Sequence, residues 1–429
     1  MPTSAAPDAR VESMPRDELR ALQLERLRTT VTRVLTGQPP GAAQLKAAGV
    51  LSAEDLTSLE DLGAVPFIAK AALREHYPFG LLAVPRSELV RLHASSGTHG
   101  KPTVVGYTRG DLEVWTELMA RCMATAGVRA GMLIHNANGY GLFTGGLGFH
   151  QGGERLGATV VPVSGGFTAR QVMLLRDLEA QVLVATPSYA LAIAQELDAP
   201  VPSLQLGLFG GEPWSEPMRG QIEAALGLKA VNFYGLSEMC GPGVAVECLD
   251  VRDGLHVQED HFLVEVIDPD DGRPLPPGSE GELVFTTLTK EAMPLLRYRT
   301  GDFGILLDEP CACGRTQVRI TGLRGRRDDM LIVRGVNLHP SLVEHVLLNV
   351  DGVAPHYRLI VHRPGTMDEV TVECEPAGAE VDRDELRARL ERLLRENAGL
   401  RITVSLLDPG TVPRSEGKAV RVVDRRPPR

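Results

Sequence analysis

From about residue 90 to residue 310, short apolar runs bounded by glycine alternate with segments whose apolar residues recur at helical spacing. This alternation constrains the fold more than any other feature of the chain. Apolar runs fall at 132–134, 159–163, 182–185 and 206–209, and helical patterns lie between them, as at 168–177 and 187–197. Such an order predicts an α/β fold, with sheets covered by helices. Segments 262–267 and 282–286 read as antiparallel strands joined through the turn-rich stretch 269–281.

The last hundred residues read differently. A helix at 340–348, strands at 357–361 and 369–375, a helix carrying Leu386, Leu390, Leu393 and Leu394, and a strand at 402–407 give the order αββαβ, a small α/β domain in its own right. Asp382 or Asp384 serves as the N-cap of the second helix, with Gly399 near its end. The polar, charged stretch 325–329 marks the boundary, so we expect a large N-terminal domain over 1–327 and a small C-terminal domain over 328–429. At the other end, residues 1–15 read as a frayed tail. A helix follows from Asp17, with Leu19, Leu22, Leu27, Val31, Val34 and Leu35 on its apolar positions, and Gln38-Pro39-Pro40-Gly41 stops it.

Composition narrows the function classes. The formal net charge is −10, which suits phosphate-backbone binding poorly, so no nucleic-acid partner is expected. No apolar run approaches the ~18 residues of a membrane span, and the first residues carry no apolar signal region. Six cysteines in 429 residues make no disulfide framework. The expectation is a cytoplasmic, soluble protein. G-x-S-x-G and H-E-x-x-H are both absent, which leaves hydrolase triads and metalloprotease chemistry without support.

Several short stretches carry chemistry. His93-Ala94-Ser95-Ser96-Gly97-Thr98-His99-Gly100-Lys101 clusters hydroxyls, exposed amides and one cation, the ingredients of a phosphate cradle. A Walker A loop would need glycine at Ser95 and a hydroxyl at Pro102, so a P-loop ATPase is disfavoured. Tyr234-Gly235-Leu236-Ser237-Glu238 follows an apolar run and offers Glu238 as a carboxylate for Mg²⁺; a solvated loop glutamate is the plainer alternative. Asp302, on a glycine turn after Arg297 and Arg299, has the character of a ribose-gripping carboxylate or of a surface ion pair. Lys418, on a turn-rich loop after the last long strand, either reaches into another domain to meet developing charge or is simply solvated.

The cysteines add one more constellation. Cys311-Ala312-Cys313 is a tight C-x-C knuckle, and Cys248 and His256 stand seven intervening residues apart upstream. Three thiolates and one imidazole suit structural Zn²⁺, the alternative being four free reduced side chains. Cys122, Cys240 and Cys374 sit among apolar or glycine residues and read as buried.

Taken in order, these stretches resemble the phenylacetate–CoA ligase family, a branch of the acyl-adenylate-forming superfamily. The resemblance is carried by 93–103, by Gly139-Tyr140-Gly141-Leu142-Phe143-Thr144-Gly145-Gly146, and by Gly211-Glu212-Pro213-Trp214. Further on it runs through 234–243, 282–302, 325–340 and 413–418. It implies a two-step reaction: a carboxylate attacks the ATP α-phosphate to give acyl-AMP and pyrophosphate, and the thiol of coenzyme A then displaces AMP. It also implies roles. Ser95, Ser96, Gly97, Thr98, Gly100 and Lys101 would hold the β- and γ-phosphates, and Glu238, beside Ser237, would ligate Mg²⁺. Gly211, Glu212, Pro213, Tyr234 and Gly235 would frame adenine, Asp302 would bind the ribose, and Arg326 would orient ribose and phosphate. Lys418 would bridge the α-phosphate and the acid oxygen, and Asp328 would be the hinge of a mobile small domain. Asn138, Tyr140, Phe143, Gly210 and Pro242 would line the aryl pocket. Zn²⁺ at Cys248, His256, Cys311 and Cys313 and a homodimer are further expectations of the resemblance.

Two positions depart from the family pattern. Thr98-His99-Gly100 stands where the family has Thr-Thr-Gly, and Asn138 replaces an aromatic residue of the aryl pocket. A buried amide wants polar partners, so Asn138 favours an aryl acid with a polar substituent. The rival readings are an aryl-acid AMP ligase that passes the acyl group to a carrier-protein thiol, and a zinc-stabilised binding protein without catalysis. The presence of Lys101, Glu238, Asp302 and Lys418 argues against the second.

Overall fold

The computed structural model describes residues 10–95, 102–323, 325–326, 330–334, 336–364, 367–378, 380–415 and 418–426. Among them, a 13-stranded mixed sheet organises the large part of the chain. Five parallel strands lie side by side in the order Thr159–Val161, Leu133–Asn136, Val182–Ala185, Leu206–Gly210 and Lys229–Leu236. Beyond Lys229–Leu236 the neighbours turn antiparallel, through Gly241–Glu247, Leu255–Val257 and Arg319–Ile320 to Tyr298–Leu307, Glu280–Thr287 and Phe262–Ile267. The expected antiparallel pair 262–267 and 282–286 is therefore present, and Phe262 faces Thr287 in register.

Side-chain alternation sends the central parallel strand Val182–Ala185 into two cores at once. Val182 and Val184 enter a core shared with Trp115, Leu118 and Met119 of the helix Arg109–Thr125. Leu183 and Ala185 enter a second core with Tyr189 and Ile193 of Pro187–Gln195 and Ile222 of Glu216–Leu226. The strand Val182–Ala185 is thus buried on both faces, which requires continuous apolar sequence and not alternation.

A third core gathers Val343 and Leu347 of the helix Pro340–Leu348, Leu359 and Val361 of Val353–His362, Val372 of Glu369–Pro376, and Leu386, Leu390 and Leu394 of Arg383–Ala398. Asp382, not Asp384, caps the last helix, its side chain accepting from the amides of Asp384 and Glu385. The expected αββαβ order gains strands at both ends: Leu331–Val333 pairs antiparallel with Val336–Leu338 ahead of it, and after it Val422–Asp424 pairs parallel with Val353–His362. The three residues of Val422–Asp424, between arginines, are too short to announce themselves in sequence.

Two N-terminal expectations are corrected. Residues 10–15 are tied down: Glu12 is buried, and its carboxylate accepts from Thr125 Oγ1 and Arg315 Nε, both at 3.0 Å. Gln38-Pro39-Pro40-Gly41 ends the helix Arg16–Gly37 but also starts another, Pro39–Ala47, with proline in its first turn. Proline there costs no hydrogen bond and presets the helical φ. Among the described residues no helix is long and apolar enough to cross a membrane.

Candidate functional site: strand ends under a docked lysine

The site forms where the parallel strands end. Open α/β sheets place ligands outside the carboxyl ends of their strands, because loops and helix N-termini gather there. The strand Leu206–Gly210 delivers Gly210 and then Gly211, whose φ of +85° is the left-handed conformation that glycine adopts without cost. A β-carbon on Gly211 would lie 3.5 Å from Lys418 Cε, so the lysine stem of the small domain runs directly over this turn. Glu212 follows, its Oε1 accepting from the Ser188 amide and its Oε2 from the Ala419 amide, each at 2.7 Å. Pro213 then leads towards the helix Glu216–Leu226.

On the neighbouring strand, Tyr234 donates its hydroxyl to Asp302 Oδ2 at 2.8 Å, and Asp302 is fully buried. Arg297 and Arg299 do not pair with Asp302: they pair with Glu265 and Glu282. Full burial takes Asp302 off the protein surface. In the paired strand Gly325–Arg326, the Arg326 backbone stands opposite Asp302. Gly235 cannot carry a side chain, because a β-carbon there would meet the Gly241 carbonyl oxygen at 2.0 Å. Beyond it, the Ser237 carbonyl accepts from Tyr107 Oη at 3.0 Å. Glu238 is only 4% exposed, yet its carboxylate makes no hydrogen bond or ion pair among the described residues.

Ser95 closes the strand Arg91–Ser95 opposite Thr103. Its hydroxyl is buried with no hydrogen-bond partner among the described residues. Ser96, Gly97, Thr98, Gly100, Lys101 and the hinge candidate Asp328 lie outside the described residues.

The aryl-pocket candidates follow the strand Leu133–Asn136. Asn136 Nδ2 donates to Tyr140 Oη and to the Gly146 carbonyl, both at 2.8 Å, which folds the loop onto the helix Gly145–Leu156. Tyr140 Oη also lies 3.2 Å from His150 Nδ1, so its hydroxyl is committed within the protein, and burial pushes its pKa up to about 12. Asn138 is half-buried against Gly145, and its side-chain amide makes no hydrogen bond among the described residues. Phe143 is 50% exposed, and Pro242 is held by Trp115 Nε1, which donates to its carbonyl at 2.8 Å.

Away from these strand ends, Cys248, His256, Cys311 and Cys313 place their ligand atoms within 4.8 Å of one another. Cys248 Sγ and Cys311 Sγ are 3.9 Å apart, and Cys313 Sγ is 3.4 Å from His256 Nε2. Burial, then Arg315 and Arg319, push the His256 imidazole down to about 4, which keeps it neutral and able to act as a ligand. Burial raises the Cys311 thiol to about 11. Burial opposes the Cys313 thiolate too, but hydrogen bonds from Arg315 outweigh it and lower that thiol. Cys122, Cys240 and Cys374 are buried, as expected.

Sequence reasoning missed Lys290 and His356, and it gave His93 no packing role. Lys290 is buried, donates to the Met239 carbonyl at 2.8 Å and sits 3.8 Å from the centre of the Tyr107 ring. The signal was available: a lysine inside the apolar segment 283–296 has to find a partner. His93 packs edge-on against Tyr107 and Trp115, with ring centres 5.4 and 5.7 Å away. His356 meets Gln195 of the large domain; nothing local in sequence marks that contact.

Comparison with known proteins follows the same lines. Residues 28–288 match the family described as AMP-binding enzyme, and residues 335–426 the AMP-binding enzyme C-terminal domain. The chain is 53% identical to a phenylacetate-coenzyme A ligase of Thermus thermophilus, over 97% of this chain and 98% of that one. With the Escherichia coli phenylacetate-coenzyme A ligase the identity is 46%, over 97% of both. Among solved structures, a 2-hydroxyisobutyryl-CoA ligase in its postadenylation state superposes with a TM-score of 0.89 at 31% identity, covering 97% of this chain and 91% of that one. The same ligase in its thioesterification state gives a TM-score of 0.72 at 32% identity, covering 97% and 92%. The present arrangement of large and small parts is thus nearer to the postadenylation one.

Proposed function

The chain belongs to the AMP-binding enzyme family, within its phenylacetate–coenzyme A ligases, and from that premise we propose that it activates an aryl carboxylic acid carrying a polar ring substituent. The acid oxygen attacks the α-phosphate of ATP, pyrophosphate leaves, and the thiol of coenzyme A then takes the acyl group from AMP. The observation that carries this reading is the approach of Lys418 to Gly211 at the strand ends. A fixed ammonium at that position meets negative charge as it develops between acid and α-phosphate, where a preorganised cation is most effective. Asp302 accepts the ribose hydroxyls, with Tyr234 fixing its carboxylate, and Arg326 enters beside it on the paired strand. Ser95 begins the phosphate loop, and Lys101 supplies its cation.

The polar substituent is argued from Asn138. Tyr140 is already hydrogen-bonded within the protein, so the amide of Asn138 is the pocket's uncommitted polar group. A site built to hydrogen-bond a substrate hydroxyl or amine discriminates strongly against the analogue without it.

Two metals fit the residues present. Glu238 is buried and makes no hydrogen bond or ion pair among the described residues, with the Lys290 ammonium in electrostatic reach; Mg²⁺ held there would neutralise charge on the leaving phosphates. Tetrahedral Zn²⁺ with ~2.3 Å bonds to sulfur sets thiolates roughly 3.8 Å apart, close to the 3.9 Å between Cys248 and Cys311. Zinc at Cys248, His256, Cys311 and Cys313 would be structural. We further assign residues 328–429 as the mobile unit, turning about Asp328 between half-reactions.

The test is pyrophosphate release from ATP across a panel of phenylacetates with hydroxyl, amino and no substituent, each with and without coenzyme A. Thioester formation fastest with a hydroxylated or aminated acid is expected. A preference for unsubstituted phenylacetate would reject the role of Asn138. Pyrophosphate release without thioester would move the acceptor to a carrier-protein thiol.

A further inference from the structure

We propose that Glu212 is a positioning residue that holds the Lys418 segment in place for the first half-reaction only; this rests on the acid-activating reading above. Each oxygen of its carboxylate is engaged. Oε1 accepts from the Ser188 amide and Oε2 from the Ala419 amide, each at 2.7 Å. Ser188 is the second residue of the helix Pro187–Gln195. Proline brings no N–H, so the Ser188 amide is the first donor that the helix itself leaves unsatisfied. A carboxylate at that end is favoured by the helix dipole as well. Glu212 is therefore fixed from the large domain's side whether or not the small domain is docked.

Its second bond crosses to the small domain at the residue beside Lys418. The ammonium works only if its stem starts from the right place, and the Ala419 amide, one residue on, is a backbone group by which that start can be held. The bond joins residues 207 positions apart, so it exists only in the docked arrangement. Other contacts run between the same helix and the small domain: Arg421 donates to Ser188 Oγ at 3.3 Å, Arg414 to Gln195 Oε1 at 3.2 Å, and His356 meets Gln195. His356 holds the domain's body and Arg414 and Arg421 flank the lysine three to four residues away, whereas Glu212 bonds the backbone at the residue next to Lys418. Rotation of the small domain for thioester formation must break the Ala419 bond and spare the Ser188 bond. Glu212 should thus serve adenylation and be silent in the second half-reaction. A carboxylate bound to adenine would instead matter in both, since AMP stays in the site throughout.

The experiment separates the half-reactions in Glu212→Gln. The amide has one acceptor oxygen and must turn its NH₂ towards one of the two N–H groups. Pyrophosphate release is measured with the acid on which the wild-type enzyme is fastest, and thioester formation is measured from supplied acyl-AMP and coenzyme A. Pyrophosphate release is expected to fall roughly 10- to 100-fold, as small misplacements of a reacting group do. Thioester formation and the KM for ATP should stay within about twofold of wild type. Glu212→Asp, which keeps the charge but is too short to span both amides, should show the same split, and it serves if the first variant folds poorly. A parallel fall of both half-reactions, or no fall in the first, would overturn the proposal. If the wild-type enzyme itself releases no pyrophosphate with any acid, the acid-activating reading fails and this proposal with it; a competent wild type with an unaffected variant overturns the proposal alone.

Discussion

The Tyr234 hydroxyl donates to Asp302 Oδ2 across 2.8 Å, tying the end of the last parallel strand to an antiparallel strand that reaches it from 68 residues away in sequence. Removing that donor leaves a buried carboxylate short of one hydrogen bond, which costs about 1–3 kcal/mol. Tyr234→Phe is expected to raise the KM for ATP by roughly tenfold, because about 1.4 kcal/mol is a factor of ten. Steady-state kinetics in ATP check this, and an unchanged KM would detach Tyr234 from the nucleotide.

Substrate choice turns on Asn138. Asn138→Phe restores an aromatic wall and removes the amide. The ratio of kcat/KM for hydroxyphenylacetate over phenylacetate should fall by at least about tenfold, the usual cost of one lost directional contact. Competition between the two acids for one enzyme sample reads the ratio directly.

Acid should loosen the docked small domain through His356. Burial, then Arg414 and Arg421, push its imidazole down to about 4, with Glu375 opposing them. A folded pKa below the unfolded value of 6.5 means the unfolded chain takes up protons first. Stability from this group is therefore complete above about pH 6.5 and lost as pH falls from there towards 4. Between pH 7 and pH 5 the loss amounts to about 2 kcal/mol. Unfolding free energies from urea titrations at both pH values should show the wild type losing about 2 kcal/mol more than His356→Gln over this range.

Zinc predicts a stability effect without a catalytic signature. Protein prepared from zinc-containing medium should carry about one equivalent by elemental analysis, and Cys248→Ser should lose it. Chelation should lower the melting temperature by several degrees, since breaking a structural site costs folding energy. Metal-free protein whose melting is indifferent to chelator would make the four residues free reduced side chains.

Parts of this architecture were legible in the chain and parts were not, for physical reasons. Runs such as 182–185 and 206–209 announce buried parallel strands because burial on both faces leaves no room for polar residues. The C-x-C spacing of Cys311 and Cys313 likewise announces a cluster, and Cys248 and His256 do come to it. Glu12 gave no sign, because its partners Thr125 and Arg315 lie 113 and 303 residues away. Pro39 and Pro40 were legible as a break but equally permit a start, and local sequence does not choose between them. Glu212 is the sharpest case. The motif suggests a nucleotide contact, and only the docked fold reveals that both oxygens are taken by amides from two different domains.

The central claim is that one lysine, carried by the small domain to Gly211, serves the first half-reaction and not the second. Lys418→Ala tests it most directly, with acid-dependent pyrophosphate release measured beside thioester formation from supplied acyl-AMP. The account predicts a fall of at least ~100-fold in pyrophosphate release, the scale of one lost preorganised electrostatic contact, with thioester formation near the wild-type rate. A Lys418→Ala enzyme that still adenylates at full rate would contradict it.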